Sequence, residues 1–260
     1  MSNTLKVALI QTELAWEEPV LNRQNLNTKI NSITNGVDLI ILPEMLTSGF
    51  TMNADVVAES MEGDTISWLK DLSNSKDAAI IGSLVISENN QYYNRLVCVE
   101  PNGKITTYDK RHTFTLAGEH KVYTSGTDKV TFEYRGWKIC PLICYDLRFP
   151  VWARNSEDYE LLIYVANWPK TRVSAWDALL KARAIENMSY CVGVNRVGLD
   201  GNNYEYTGHS AAYDVLGHRL DDIPSNEEAI CIVELEKSHI DFYRDKLGFL
   251  KDRDSFIITK

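Results

Sequence analysis

The 260-residue chain is 44% hydrophobic and 24% charged and carries a formal net charge of −9. That composition suits a globular chain long enough to bury its own core. The acidic balance argues against a nucleic-acid partner or an anionic membrane surface, both of which call for a basic patch. No apolar run approaches the ~20 residues that cross a bilayer, and the start lacks the basic, then long apolar, pattern of a secretory leader.

In chain order, short apolar runs alternate with amphipathic stretches, with no repeat, low-complexity tract or Pro/Gly/Ser linker, so one domain is expected over residues 1–260. Residues 5–11 read as a buried strand, 21–33 as a helix on Leu21, Leu26, Ile30 and Ile33, and 37–42 as a strand stopped by Pro43. Asp64 stands as the N-cap of a helix through Trp68, Leu69 and Leu72. Strand signals follow at 79–86 and 92–99, then a turn at Pro101-Asn102-Gly103 and a returning strand at 105–108. Residues 110–126 form a long irregular segment; 130–134 and 137–143 make a hairpin about Arg135-Gly136, and 149–155 a short helix. Beyond these come a strand at 161–166, a helix at 175–187, a strand at 190–197, a turn at 200–203 and strands at 210–215 and 229–235. The amphipathic tail, 237–260, is expected to pack on a neighbour or cap a sheet. Strand–helix alternation at both ends with hairpins between indicates a layered α/β fold with mixed sheets. Two sheets face to face with helices outside satisfy it, although periodicity does not select that arrangement.

The five cysteines, Cys98, Cys140, Cys144, Cys191 and Cys231, are odd in number and scattered, which reads as free thiols in a reducing, cytoplasmic setting. Cys140 and Cys144 fall in what reads as one strand, where four residues span about 13 Å. One tetrahedral metal cannot reach both, and no histidine cluster lies near, so no metal is expected.

Three places carry chemistry. In Lys138-Ile-Cys-Pro-Leu-Ile-Cys144-Tyr-Asp-Leu-Arg-Phe-Pro150 an apolar strand runs into Cys144. A nucleophile on a sharp turn at a strand end presents its side chain to a crevice, with the next backbone N–H groups aimed at the same spot. A lone cysteine is more often a structural core residue. Glu44 follows the apolar run Leu39-Ile-Ile-Leu-Pro, at the carboxyl end of a strand where ligand sites of α/β sheets gather, and a buried carboxylate there can shuttle protons. Its plain alternative is a surface carboxylate or helix cap. Lys110, in Tyr108-Asp-Lys-Arg-His112, also follows a strand and offers a fixed positive charge to an oxyanion; short basic runs are otherwise solvated turns. Pro141 removes one ladder donor inside the strand leading to Cys144, which an outward-facing or edge position tolerates.

The order Glu, Lys, Cys, each after a different apolar strand, resembles the nitrilase superfamily of carbon–nitrogen hydrolases. The matching words are Leu42-Pro-Glu44, Tyr108-Asp-Lys110, Ile143-Cys-Tyr-Asp-Leu-Arg-Phe-Pro150, Val165-Ala-Asn-Trp-Pro169, Lys181-Ala-Arg-Ala-Ile-Glu186 and Val194-Asn-Arg-Val-Gly198, and the resemblance runs from the first strand to about residue 235. It implies an α-β-β-α sandwich with two mixed sheets, and homodimers that stack two such units into four layers through helices near the cysteine. It further implies Glu44 as general base, Lys110 as the oxyanion-stabilising lysine, Cys144 as nucleophile, and Glu119 of Ala117-Gly-Glu-His120 as the second glutamate, with no cofactor. The backbone N–H of Tyr145 would complete the oxyanion site.

Within the superfamily, Tyr108-Asp-Lys-Arg-His-Thr-Phe114 and Gly118-Glu-His120 are most similar to the omega-amidase branch, which cleaves the terminal amide of small 2-oxo acid amides such as 2-oxoglutaramate. A substrate carboxylate needs a cation. Arg148, Lys170 and Arg172 are the candidates, with Arg148 read more readily as a structural salt-bridge partner, and Asn167, Trp168 and Phe50 are expected along the pocket. N-carbamoyl compounds and nitriles are the other substrate classes weighed. A papain-like hydrolase would need His112, His120 or His209 as base, without that class's local signature. No G-x-S-x-G speaks for a serine hydrolase. A catalytically silent binding protein would be expected to lack one of Glu44, Lys110 or Cys144, and all are present.

Overall fold

The computed structural model describes residues 3–34 and 36–259. The first half of the chain runs β1 (Thr4–Gln11), α1 (Pro19–Ser32), β2 (Leu39–Ile41), α2 (Ala54–Val57), α3 (Asp64–Lys76), β3 (Ala79–Glu88), β4 (Gln91–Val99) and β5 (Ile105–Asp109). After two single 3-10 turns it continues through β6 (Phe132–Tyr134), β7 (Trp137–Ile143), a 3-10 segment at Cys144–Arg148, α4 (Pro150–Ala153), β8 (Leu161–Ala166), α5 (Val173–Asn187) and β9 (Tyr190–Asn195). It ends with β10 (Val197–Leu199), β11 (Glu205–Thr207), β12 (Ala211–Tyr213), β13 (Ala229–Glu236) and α6 (Lys237–Leu247).

One sheet has the order β13-β1-β2-β3-β4-β5 and the other β12-β9-β8-β7-β6, while β10 and β11 form a separate hairpin. In the first, β1, β2 and β3 are parallel and the flanking pairs antiparallel; in the second, β7, β8 and β9 are parallel. Both are mixed, as the alternation of elements implies.

Side-chain alternation explains the stacking. Along β1, Leu5, Val7 and Leu9 enter the core shared with Ile139, Leu161 and Ile163 of the second sheet. Ala8 and Ile10 face the other way, onto Leu26 and Ile30 of α1 and Leu69 and Leu72 of α3. On the far side, Trp176, Leu180 and Ala184 of α5 cover the second sheet. The layers are therefore α-β-β-α, and a strand buried on both faces shows up as a continuous apolar run. Gly193 of β9 lets α5 approach closely: a β-carbon there would stand 2.5 Å from Leu180 and 2.7 Å from Trp176.

Several boundaries differ from expectation. The first helix starts at Pro19 rather than residue 21, because proline at N1 is pre-set for a helix. Gly63, not Asp64, caps α3; Asp64 is its first residue, and Glu59 binds the Thr65 N–H instead. The expected helix at 149–155 is only the turn Pro150–Ala153. The expected strand 190–197 breaks after Asn195, where the chain leaves the sheet for the β10–β11 hairpin. The helix α2 carries no sequence signal, since four residues are too few to show a period. β6 pairs with β7 only as far as Ile139, so no ladder on that side needs a donor from Pro141. The first part of the tail is the helix α6, which buries Ile240, packs Tyr243 and Leu247 on the core, and sends the Arg244 guanidinium to the carbonyls of Met188 and Tyr159. Among the described residues no helix is long and apolar enough to cross a membrane.

Candidate active site

Four strand ends bring their next residues to one place. Glu44 lies just beyond β2, Lys110 follows β5, Cys144 follows β7 and Asn167 follows β8. All four side chains are buried, as is Glu119 from the segment after Lys110. Lys110 Nζ donates to Glu44 Oε1 at 2.8 Å and to both carboxylate oxygens of Glu119 at 3.0 Å. The other Glu44 oxygen accepts the backbone N–H of Asn167 at 2.8 Å, and the Asn167 amide donates to the Glu44 carbonyl at 2.6 Å. The Phe114 N–H is bound to Glu119. Each carboxylate is thus fixed from two sides, which is what a buried charge requires.

Burial alone would lower the Lys110 pKa, but Glu119 and then Glu44 outweigh it and hold the ammonium raised above its ordinary 10.5. Burial is also the main cause raising Glu119 above its ordinary 4.5; Lys110 opposes it and the Glu44 charge adds to it. Lys110 therefore stays a cation at any working pH.

Cys144 opens the 3-10 segment with φ +41°, a left-handed conformation that a non-glycine residue adopts at a cost of about 1–2 kcal/mol. The sharp turn aims Sγ out of the sheet, 3.9 Å from the Asn167 carbonyl. Cys144 therefore sits just past the strand rather than inside it with Cys140, which is buried in the core. Burial first, then the Glu44 charge, push the thiol pKa well above its ordinary 9.0, and Lys110 only partly offsets this. At neutral pH this holds sulfur as the thiol, so a nucleophilic role would call for a base to take its proton during attack. Iodoacetamide alkylation of Cys144, followed by mass spectrometry, should therefore keep accelerating past pH 9.0. A plateau below pH 7 would mean a preformed thiolate and remove the need for that base.

Sγ opens into a cavity of about 610 Å³ whose wall includes Lys110, Tyr145, Arg148, Asn167, Trp168 and Arg172. Phe50 lines it too, with Lys110 Nζ 5.2 Å above its ring. The Arg148 guanidinium lies over Trp168 at 4.9 Å and that of Arg172 over Phe114 at 5.0 Å. Neither has a carboxylate partner among the described residues, so the salt-bridge expectation for Arg148 gives way to a cavity cation. Lys170 is not brought in: its ammonium binds Glu205 at 2.9 Å on the exposed surface, where β11 runs past. Of the expected rival bases, none lines the cavity; His112 is bound to Asp146 and His209 to Asp177. A more open groove of about 710 Å³ beside the C-terminal segment holds none of the groups described above.

Residues 6–245 match the family model described as Carbon-nitrogen hydrolase. The chain belongs to the carbon-nitrogen hydrolase family. Among its relatives, "Omega-amidase YafV" of Yersinia enterocolitica is 43% identical over 98% of this chain and 99% of that one. The "2-oxoglutaramate amidase" of Bacillus subtilis is 31% identical over 95% of this chain and 96% of its own. The crystal structure of XC1258 from Xanthomonas campestris, a CN-hydrolase superfamily protein with an arsenic adduct in its active site, superposes with a TM-score of 0.96 at 37% identity, covering 99% of this chain and all of that one.

In this carbon-nitrogen hydrolase the residues that steady the site were not all visible in the sequence. Asn94 of β4 donates to Glu44 at 2.8 Å and to Glu119 at 3.2 Å, while its carbonyl oxygen accepts from Ser83. Asn195, at the end of β9, accepts from the Trp168 N–H at 2.7 Å and donates to the Trp168 carbonyl at 2.9 Å. The available signal was an amide side chain inside, or ending, an apolar strand, a costly choice unless it is bonded. Trp16, Asp200 of the β10–β11 turn and Tyr206 of β11 also line the cavity. They arrive by tertiary packing and carry no local signature.

Proposed function

We propose that this enzyme is a thiol-dependent omega-amidase. It cleaves the terminal amide of a small 2-oxo acid amide of the 2-oxoglutaramate type to ammonia and the acid. The observation that carries this reading is one cavity whose wall holds the Cys144 thiol and the Lys110 ammonium, with Glu44 bound to that ammonium at 2.8 Å behind the wall and, in the same wall, two guanidiniums that have no carboxylate partner among the described residues. The names of the Yersinia and Bacillus relatives support the substrate class.

The chemistry follows from the geometry. Glu44 takes the Cys144 proton as sulfur attacks the amide carbon. The oxyanion forms between Lys110 Nζ and the backbone N–H of Tyr145, which lies in the first turn after Cys144, where N–H groups lack helical acceptors. Glu119 holds Lys110 in place. As the tetrahedral intermediate collapses, Glu44 returns the proton to nitrogen and ammonia leaves, with a thioester on Cys144. Water then gives Glu44 a proton and attacks the thioester; the acid departs and sulfur recovers its proton. The distal carboxylate of the substrate pairs with Arg172 or Arg148, whose planar forks suit it.

The test is ammonia release from 2-oxoglutaramate, glutamine, butyramide, an N-carbamoyl amino acid and an aliphatic nitrile. Turnover of 2-oxoglutaramate should lead, and butyramide, which lacks the carboxylate, should fall behind in kcat/KM by roughly 10² or more, the scale of losing a charge-assisted pair. Preference for the carbamoyl compound or the nitrile would discard the substrate while keeping the reacting groups.

A homodimer and a cytoplasmic location belong to the same reading. Val151 of α4 and Ile185 of α5 stand exposed on helices beside the nucleophile's turn, an apolar face suited to a second copy. The five free thiols suit a reducing compartment.

A further inference from the structure

The mechanism leaves unused a buried carboxylate beside the nucleophile. Asp146, two residues beyond Cys144, is fully buried and is not part of the cavity wall. Its carboxylate accepts from two directions. Oδ2 takes the Tyr108 hydroxyl at 2.8 Å and the backbone N–H of Ile143 at 3.1 Å. Oδ1 takes the backbone N–H of His112 at 3.1 Å and faces His112 Nδ1 at 2.7 Å. Since a carboxylate only accepts, Nδ1 carries the proton.

Ile143 immediately precedes Cys144, and His112 follows Lys110 by two residues. One carboxylate therefore ties the loop that aims the lysine to the turn that aims the sulfur. The imidazole reinforces the tie. It stacks on Phe149 at 3.7 Å and 5°, and the Phe149 N–H closes the Cys144 turn onto the Asp146 carbonyl at 3.0 Å. Behind it, Tyr108 Oη accepts from Trp152 at 3.0 Å and from the Arg111 N–H at 3.2 Å, so the lysine loop is bound on both flanks.

We propose that His112 is a positioning residue: through Asp146 it sets the distance between the Lys110 ammonium and the Cys144 sulfur. The inference rests on those two as the reacting pair. An oxyanion donor acts only when it stands where the charge develops, and a misplacement of about 1 Å can cost 10²-fold in rate. The loss then falls on the transition state, not on substrate binding by the arginines across the cavity.

The experiment compares His112→Phe, which keeps the stacked ring and removes the donor, with His112→Asn, whose amide nitrogen can stand near Nδ1. Steady-state kinetics and the rate of Cys144 alkylation are read alongside thermal melting. His112→Phe should lose kcat by roughly 10–10², with KM little changed and alkylation slowed, and His112→Asn should recover most of the loss. Unchanged kcat in the Phe variant, a loss confined to KM, or an Asn variant no better than Phe would each overturn the proposal. If His112→Phe does not fold, Tyr108→Phe takes one hydroxyl from the same carboxylate: a drop in kcat at constant KM supports the tie, and a wild-type kcat refutes it. Cys144→Ala as control keeps the two levels apart. Activity in that variant would remove the reacting pair itself; silence there, with a fully active His112→Phe, would remove only the positioning role.

Discussion

Cys144→Ala should abolish turnover of every amide tested, by on the order of 10⁴ or more, while the protein stays folded and still binds substrate. The size follows from what would be left. Without a nucleophile, Glu44, Lys110 and the cavity can at best orient a water, and a site stripped of its nucleophile retains only the residual rate that binding and oxyanion stabilisation give. Folding should survive because the change removes only a sulfur that lines the cavity and makes a long contact, 3.9 Å, to the Asn167 carbonyl. Calorimetric binding of 2-oxoglutaramate and a melting curve would check the second half. Mass spectrometry would check the first, since the wild type exposed to substrate and quenched in acid should carry an acyl group on Cys144 and the variant none. Turnover within tenfold of wild type would end the assignment of sulfur as nucleophile.

What could be read from the sequence, and what could not, divides along a physical line. Glu44 and Cys144 are legible because each follows an apolar run that is a buried strand. Such runs are continuous, and the residue after one has to emerge at a sheet end. Lys110, in contrast, follows the half-buried edge strand β5 and is legible only through the family words around it. Asn94 gives a weak signal: β4 ends in the apolar run Leu96–Val99, but Asn94 itself stands among Tyr92, Tyr93 and Arg95 and reads as a solvated position. The fate of the arginines and of Lys170 depended on a choice that local pattern does not encode. Lys170, in the 3-10 turn before α5, meets Glu205 across a hairpin 35 residues away, whereas Arg172, two residues on, turns back over Phe114. Two residues separate a surface ion pair from a cavity cation. The layered arrangement was compatible with the alternation of elements, but only the two-faced burial of β1 shows that two sheets share one core.

Glu44→Gln should lower kcat by roughly 10³–10⁴, the upper range for one acid–base group, because the same carboxylate acts in both halves of the reaction. Glutamine also fits poorly. One Glu44 oxygen accepts from Lys110 and Asn94 and the other from the Asn167 N–H, so an amide NH2 in either orientation would point a donor at a donor. Two substrates separate loss of the base from loss of shape. With an amide, the variant should fail at acylation, since ammonia cannot leave without a proton. With an activated ester of the same acid, whose leaving group needs no proton, acylation should return in part. The thioester should then accumulate on Cys144, because attack by water still lacks its base. That persistent acyl-enzyme, seen by mass spectrometry, is the signature of one carboxylate used twice. An ester that turns over at the wild-type rate in Glu44→Gln would confine Glu44 to the first step and require another group to activate the water. The other carboxylate bound to Lys110, Glu119, is also held by the Phe114 N–H and would first have to release both.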